Sequence, residues 1–197
     1  ANDIEIIASD GSIINGSGSA IAIDEVNNLT LTAKGSIGSL AKPLTVNAKR
    51  VSLTSTSVTP GDADIYVDNN PNVLNVDSSS ETVTLATIDT GIEGKITYRQ
   101  TGQKLLVSGD VTSNGGDIII DPPTDLTINA TINGGGGSVT AEATGNITFG
   151  ATGFVTTSGA GNLLIQADVD VDGTGDLAFT FPGTAGGERV RTTGTGT

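Results

Sequence analysis

Apolar and polar residues alternate in short segments along the whole chain, and no segment has the i, i+3, i+4, i+7 spacing of an amphipathic helix. Gly, Asn, Asp, Ser or Pro residues bound these segments, which is typical of strands separated by turns. The pattern therefore predicts an all-β protein. The predicted strands are DIEIIA, NLTLTA, PLTVNA, RVSLTS, DIYVDN, TVTLAT, KLLVSG, DIIIDP, DLTINA, SVTAEA, NITFGA, NLLIQA and DLAFTF.

Many of the predicted strands begin with Asp or Asn followed by an apolar residue, and strand starts assigned one per coil recur at a mean interval of roughly 19 residues. A degenerate period of this length, with several short strands and Gly turns, predicts a parallel β-helix, or β-solenoid, of roughly 19–20 residues per coil. Each coil would bury its apolar face against the next. We expect this domain over residues 1–182, followed by a Gly/Thr-rich tail or linker over residues 183–197.

An antiparallel β-sandwich is the alternative architecture, because short strands at close spacing are typical of sandwiches too. The Asn-Gly pairs at Asn114-Gly115 and Asn133-Gly134 are compatible with two-residue hairpin turns. The absence of Trp and the scarcity of aromatic residues favour the solenoid, because a thin core of stacked coils has little room for large rings.

Charge limits the partners that this chain would bind. The formal net charge is −13, and a surface of this sign repels nucleic-acid phosphates, so no nucleic-acid partner is expected. The charge is also uneven, because no Lys or Arg lies between Leu105 and Gly187 while nine Asp and Glu residues do. We expect this part of the surface to attract cations.

Missing residue types exclude several kinds of chemistry. Without Cys there is no disulfide framework, thiolate metal site or cysteine nucleophile, and without His there is no serine triad. No apolar run approaches the roughly 20 residues of a membrane span. The acidic, Gly-rich, Cys-free composition predicts an extracellular protein, and a chain that opens on Ala1 is expected to be a processed or excised segment.

The stretch ADVDVDGTGD, Ala167 to Asp176, offers the one candidate metal site. Its Asp residues alternate and are followed by Gly173, as in the first half of an EF-hand calcium loop. Phe179 stands where the bidentate Glu of such a loop is needed, so an EF-hand is not predicted. The candidate Ca²⁺ ligands are Asp168, Asp170, Asp172 and Asp176, and no other cofactor is expected.

A β-strand with a charged outer face is the competing interpretation of the same stretch. Val169 and Val171 would then point into the core, and the aspartates would line one outer face at a spacing of roughly 6.5–7 Å. Carboxylates at that spacing are too far apart for tight chelation and would recruit Ca²⁺ only loosely.

Two segments, LTLTAKGSIGSLAKPLTVNAKRVSLTS (Leu29 to Ser55) and ADIYVDN (Ala63 to Asn69), resemble the degenerate repeats of filamentous-haemagglutinin-type proteins, which are large secreted bacterial adhesins. The resemblance is clearest from Asn27 to Val76. It implies a right-handed parallel β-helix at the cell surface that acts as an adhesin or a stalk.

Three functions are therefore considered. The first is a non-catalytic adhesin stalk that binds glycans or proteins of a host or neighbouring cell. The second is an extracellular filament or sheath subunit that stacks end to end, since an uncapped solenoid leaves strand edges open. The third is a carbohydrate-active enzyme, which would need Arg or Lys beside paired acids in one groove. Residues considered for such a site are Arg50, Asp64, Asp68, Asp77 and Arg99. We expect no enzymatic activity.

Overall fold

The computed structural model describes residues 2–16, 23–70, 82–121, 124–179 and 189–194. Within these ranges the protein is a right-handed parallel β-helix of about six coils with seventeen strands and no helix. The strands are β1 (Asp3–Ala8), β2 (Ile23–Ala33), β3 (Leu44–Ser55), β4 (Ile65–Asn69), β5 (Thr82–Asp89), β6 (Ile96–Gln100), β7 (Lys104–Val107), β8 (Val111–Thr112), β9 (Ile118–Asp121), β10 (Leu126–Ile128), β11 (Thr131–Asn133), β12 (Val139–Glu142), β13 (Ile147–Phe149), β14 (Phe154–Gly159), β15 (Leu163–Gln166), β16 (Leu177–Phe179) and β17 (Val190–Gly194).

Parallel pairing arranges these strands in three ladders that run along the solenoid. The first ladder joins β1, β2, β3, β5, β7, β10, β13 and β16. The second continues from the end of β5 through β8, β11, β14 and β17. The third joins the starts of β2 and β3 to β4, β6, β9, β12 and β15. The solenoid prediction is confirmed, and the antiparallel sandwich is wrong, because every strand pair described is parallel.

Corner hydrogen bonds measure the coil length directly. Side chains at strand starts bond to residues one coil later, at separations of 21 positions for Asp117 with Ser138 and 24 for Ser138 with Asn162. Other coils are longer, as between Asp64 and Lys95, which are 31 positions apart. The mean interval of roughly 19 residues between predicted strand starts is shorter than one coil, because these starts belong to different ladders.

Stacked apolar side chains fill the interior. Apolar side chains at the start of the third-ladder strands stack in one column, and all of them except the last are completely buried. The members of this column are Ile37, Ile65, Ile96, Ile118, Val139 and Leu163. Burying each such side chain stabilises the fold by about 1.5–3 kcal/mol. A ladder hydrogen bond contributes only about 0.5–1.5 kcal/mol net. The columns therefore dominate the stability, while the ladders set the register.

The Asp and Asn residues at strand starts have a structural role. Asp64, Asp117 and Asp125 each accept a hydrogen bond of 2.9 Å from the backbone N–H at the matching corner of the next coil. Asn146 accepts one in the same way from Asp176. These bonds satisfy backbone donors that the strand ladders leave without a partner at the corners. The recurrent Asp or Asn before an apolar residue is thus a coil-stacking signal.

Buried polar groups also lie inside the solenoid. Asn69 donates from Nδ2 to the Tyr98 hydroxyl at 3.0 Å, and Tyr98 donates in turn to Oε1 of Gln100 at 3.2 Å. Asn69 also exchanges two 3.0 Å hydrogen bonds with the backbone of Ala48. Burial raises the pKa of Tyr98, and the hydrogen bond with Asn69 opposes the rise only in part. Tyr98 therefore stays neutral and its hydroxyl remains a donor.

A column of glycines brings successive coils into close approach at one corner. Gly94, Gly116, Gly137 and Gly161 each lie two positions before a strand of the third ladder. A Cβ added at Gly116, Gly137 or Gly161 would lie closer than 3.0 Å to the carbonyl oxygen of the preceding glycine in the column. Only a residue without a side chain fits there, because the obstructing atom is backbone and cannot rotate away.

The stretch predicted as a tail contains the last described strand. Val190–Gly194 forms β17 and pairs in parallel with β14 from Val155 to Gly159. Within residues 183–197, the structure describes only 189–194.

We predict that Gly137→Ala lowers the free energy of unfolding by about 1–3 kcal/mol, the usual cost of overpacking. Gly136→Ala is the matched control, because Gly136 is exposed and a Cβ there meets nothing within 4 Å. Urea unfolding followed by circular dichroism measures both variants. Equal midpoints for the two variants would contradict the close approach of the coils at Gly137.

Candidate functional site

The acidic stretch Ala167 to Asp176 forms a loop between β15 and β16. It is an insertion, because the corner bond from Asp176 to Asn146 spans 30 positions where the shortest coils need 21. Asp168 and Val171 have positive φ angles of 56° and 59°, which no β-strand has. The strand interpretation is therefore wrong. Val171, expected in the core, is 82% exposed, and Val169 is only partly buried.

Folding back of this loop brings three carboxylates together. One oxygen from each of Asp168, Asp170 and Asp172 lies within 4.8 Å of the other two. Asp170 and Asp172 are exposed, and Asp168 is partly buried. Asp176 is outside this cluster, at the corner where its N–H donates to Asn146. The structure thus groups three of the four candidate ligands, more closely than a strand would.

Hydrogen bonds within the loop hold two of these carboxylates. The Gly173 N–H donates to both oxygens of Asp168 at 3.2 Å, and the Thr174 N–H donates to Oδ1 of Asp172 at 2.9 Å. The hydroxyl of Thr174 donates to the same oxygen. The two bonds from Thr174, together with a weaker effect of the Asp168 side chain, lower the pKa of Asp172, so its carboxylate stays ionised in mildly acidic solution.

The cluster has the donor chemistry of a Ca²⁺ site. Ca²⁺ takes six to eight oxygen ligands at 2.3–2.6 Å, so two oxygens on one ion lie at most about 5 Å apart. The spacing within the cluster meets this limit. Phe179 stands at the position of the EF-hand glutamate and lies in β16, so this loop lacks the full set of EF-hand calcium ligands.

The described residues among those considered for an enzyme site are divided between two ladders. Arg50 lies in β3 and pairs with the first ladder, whereas Asp68 and Arg99 are register partners in the third ladder. Burial raises the pKa of Asp68, and Arg99 opposes that rise. Asp64 serves as a corner acceptor for Lys95, and Asp77 lies outside the described residues.

One charged corner was not identified from the sequence. The ammonium group of Lys104 lies 2.9 Å from Oδ2 of Asp125, and Asp125 also accepts bonds from the backbone and side-chain N–H groups of Asn146. The signal was present in the spacing, because Lys104, Asp125 and Asn146 follow each other by one 21-residue coil. Partial burial of Asp125 acts to raise its pKa, but the bonds from Lys104 and Asn146 outweigh it and lower the pKa.

Comparisons with protein-family models, with curated proteins and with solved structures found no match to this chain. The resemblance to filamentous-haemagglutinin-type repeats therefore stays a prediction. In the part of the chain that the structure describes, no helix has the length and hydrophobicity that crossing a membrane requires.

We predict that Asp125 makes stability depend on pH in the acid range. Its pKa is lower in the folded chain than in the unfolded chain, where Asp titrates near 3.9, so its contribution is complete above about pH 5 and is lost as pH falls through the folded pKa. The pair is partly exposed, so we expect a contribution below about 1 kcal/mol.

Urea unfolding at about pH 6 and at about pH 3 tests this for the wild type and for Asp125→Asn. Asp125→Asn should lose less stability between the two pH values than the wild type does. Asp62→Asn, an exposed position, is the control and should follow the wild type. An equal loss of stability between the two pH values in all three proteins would contradict the role of Asp125.

Proposed function

We propose that this chain is a non-catalytic rod segment of a secreted bacterial surface protein and acts as an adhesin stalk. The observation that carries the proposal is the continuity of the three ladders, which link every described coil to the next. Coils at the strand spacing of about 4.8 Å give about six coils a length of roughly 30 Å. A rigid rod of this kind would hold a binding surface at a fixed distance from the cell and would need no conformational change.

The placement of the acidic residues supports a structural role. Asp64, Asp110, Asp117 and Asp125 all accept backbone hydrogen bonds from the next coil. Their carboxylates are thus used in stacking. The absence of His and Cys removes two common catalytic side chains. The resemblance to secreted adhesin repeats supports the extracellular location.

Adhesion is tested with fluorescent beads that carry the protein at controlled density, incubated with cultured epithelial cells and with bacterial cells. We expect saturable binding, inhibited by soluble protein, and no release of reducing sugars from a panel of polysaccharides. Beads carrying heat-unfolded protein are the control. Absence of saturable binding, or release of reducing sugars, would contradict the proposal.

A filament subunit is the second candidate, and the exposure of apolar side chains in the end coils favours it. In β1, Ile4 and Ile6 are only partly buried, and in β16 Leu177 and Phe179 are 45% and 39% exposed. Pairing of these ends would bury apolar area and complete the open ladders. Light scattering after size-exclusion chromatography decides between a 19.6 kDa monomer and uniform polymers, which this candidate requires.

We further propose that Asp168, Asp170 and Asp172 bind Ca²⁺ weakly. Three mostly exposed carboxylates supply only part of the ligand shell, and water must supply the rest. Dissociation constants of about 10⁻⁴–10⁻³ M are typical of extracellular calcium modules, and we expect a value at the weak end of this range.

Calcium at about five times its dissociation constant should stabilise the wild type by about 1 kcal/mol relative to EDTA. Asp170→Asn should remove most of this gain, because it removes one charge of the cluster. Glu142→Gln, on β12 in the same Lys- and Arg-free stretch, should keep it. Thermal unfolding by circular dichroism measures the shift, and an equal shift in all three proteins would exclude the cluster as the site.

A further inference from the structure

A groove runs along the outside of the first ladder over the first three coils. Its volume is about 550 Å³. Asp3, Asn28 and Arg50 are register partners and form one wall, and Glu5, Thr30 and Ser52 are register partners and form the other. The backbone at Ile4 and Leu29 lies between the walls. The groove therefore crosses successive coils, parallel to the solenoid axis.

Both walls carry hydrogen-bonding groups, and few of these groups are already used. Asn28 donates from Nδ2 to Oδ1 of Asp3 at 2.7 Å, which orients that carboxylate. Among the residues that the structure describes, Glu5 and Arg50 form no ion pair or side-chain hydrogen bond with each other or with a third residue. The groove thus combines available acceptors with a guanidinium that has five N–H donors.

The chemistry of the walls selects the class of ligand. Thr30 and Ser52 add hydroxyl groups, which both donate and accept. Two carboxylates and one guanidinium leave the groove with a net negative charge, on a chain whose formal net charge is −13. Polyanions are therefore repelled. No aromatic or large exposed apolar side chain lines the walls, so an apolar ligand gains little there.

We propose that this groove binds a neutral oligosaccharide. The ring hydroxyls of such a chain donate to Asp3 and Glu5 and accept from Arg50 and Asn28. The groove volume of about 550 Å³ lies within the range of about 300–1,000 Å³ that is typical of small-ligand sites. The repeat along the groove is the strand spacing of about 4.8 Å, so each coil presents its own pair of polar side chains to a successive part of the ligand.

This inference rests on the proposed adhesive function, because it names the ligand class by which the rod would attach. The groove is shallow and open to water, and its contacts are hydrogen bonds that replace bonds to solvent. We therefore expect dissociation constants of about 0.1–1 mM for a single oligosaccharide. Many copies on one surface would strengthen the attachment through avidity.

Isothermal titration with cellohexaose, maltohexaose and mannohexaose tests the proposal, with hexagalacturonate as the anionic comparison. We expect at least one neutral hexasaccharide to bind and hexagalacturonate to bind at least tenfold more weakly. Arg50→Ala and Glu5→Gln should each weaken the binding of the neutral hexasaccharide at least tenfold. Arg99→Ala is the matched control, because it removes an exposed guanidinium on the third ladder and should bind like the wild type.

Unchanged thermal midpoints will show that the variants fold, since both groove residues are exposed. The proposal is overturned if no neutral hexasaccharide binds at about 10 mM, if Arg50→Ala and Glu5→Gln bind like the wild type, or if hexagalacturonate binds more tightly. Bead adhesion without sugar binding would overturn the groove and leave the adhesive function standing. Sugar binding that Arg50→Ala abolishes, without bead adhesion, would support the groove and overturn the adhesive function.

Discussion

The stacking of one coil on the next at the strand spacing is the constraint on which the whole structure depends. No single coil encloses a core, because its apolar side chains become buried only between the coils above and below. Each corner must therefore repeat closely enough for backbone to meet backbone. The glycine column from Gly94 to Gly161 and the corner acceptors Asp117 and Asp125 are two solutions to this requirement. The glycines permit the coils to approach closely. The aspartates accept hydrogen bonds from backbone N–H groups that this close approach would otherwise bury without a partner.

This arrangement separates the parts of the chain that must repeat from the parts that are free to vary. The strands between Ile118 and Phe149 repeat at 21 residues, yet the coil that follows accommodates the acidic insertion without breaking its ladders. An insertion at a corner projects into solvent and leaves the columns intact, so its cost is mainly the loop-closure entropy, which grows slowly with length. Features such as the Asp168–Asp172 cluster are therefore expected at corners. Shallow grooves such as the one beside Arg50 are expected on the strand faces.

The same architecture explains why a carboxylate-rich chain need not be an enzyme. Catalytic acids work in pairs whose environments separate their pKa values. Here the corner acids accept backbone hydrogen bonds from the next coil, and in Asp125 the bonds from Lys104 and Asn146 outweigh the effect of partial burial and lower its pKa. Their spacing along the chain is set by the coil length. A surface of hydrogen-bonded carboxylates interrupted by occasional cations suits reversible contact with polar ligands.

The sequence by itself determined the all-β class and most of the strands, and it favoured parallel stacking over an antiparallel sandwich, because alternation of apolar residues and the Asp or Asn strand starts are local signals. It also pointed to Asp168, Asp170 and Asp172. Only the tertiary structure decided that these aspartates lie on an inserted loop with positive φ angles instead of a strand. It alone showed that Glu5 and Arg50 line one groove and that Lys104 meets Asp125. The physical reason is that a solenoid joins residues one coil apart, and the register partners described lie from 21 to 35 positions apart. Neighbours therefore cannot be found by counting along the chain until the stacking of its coils is known.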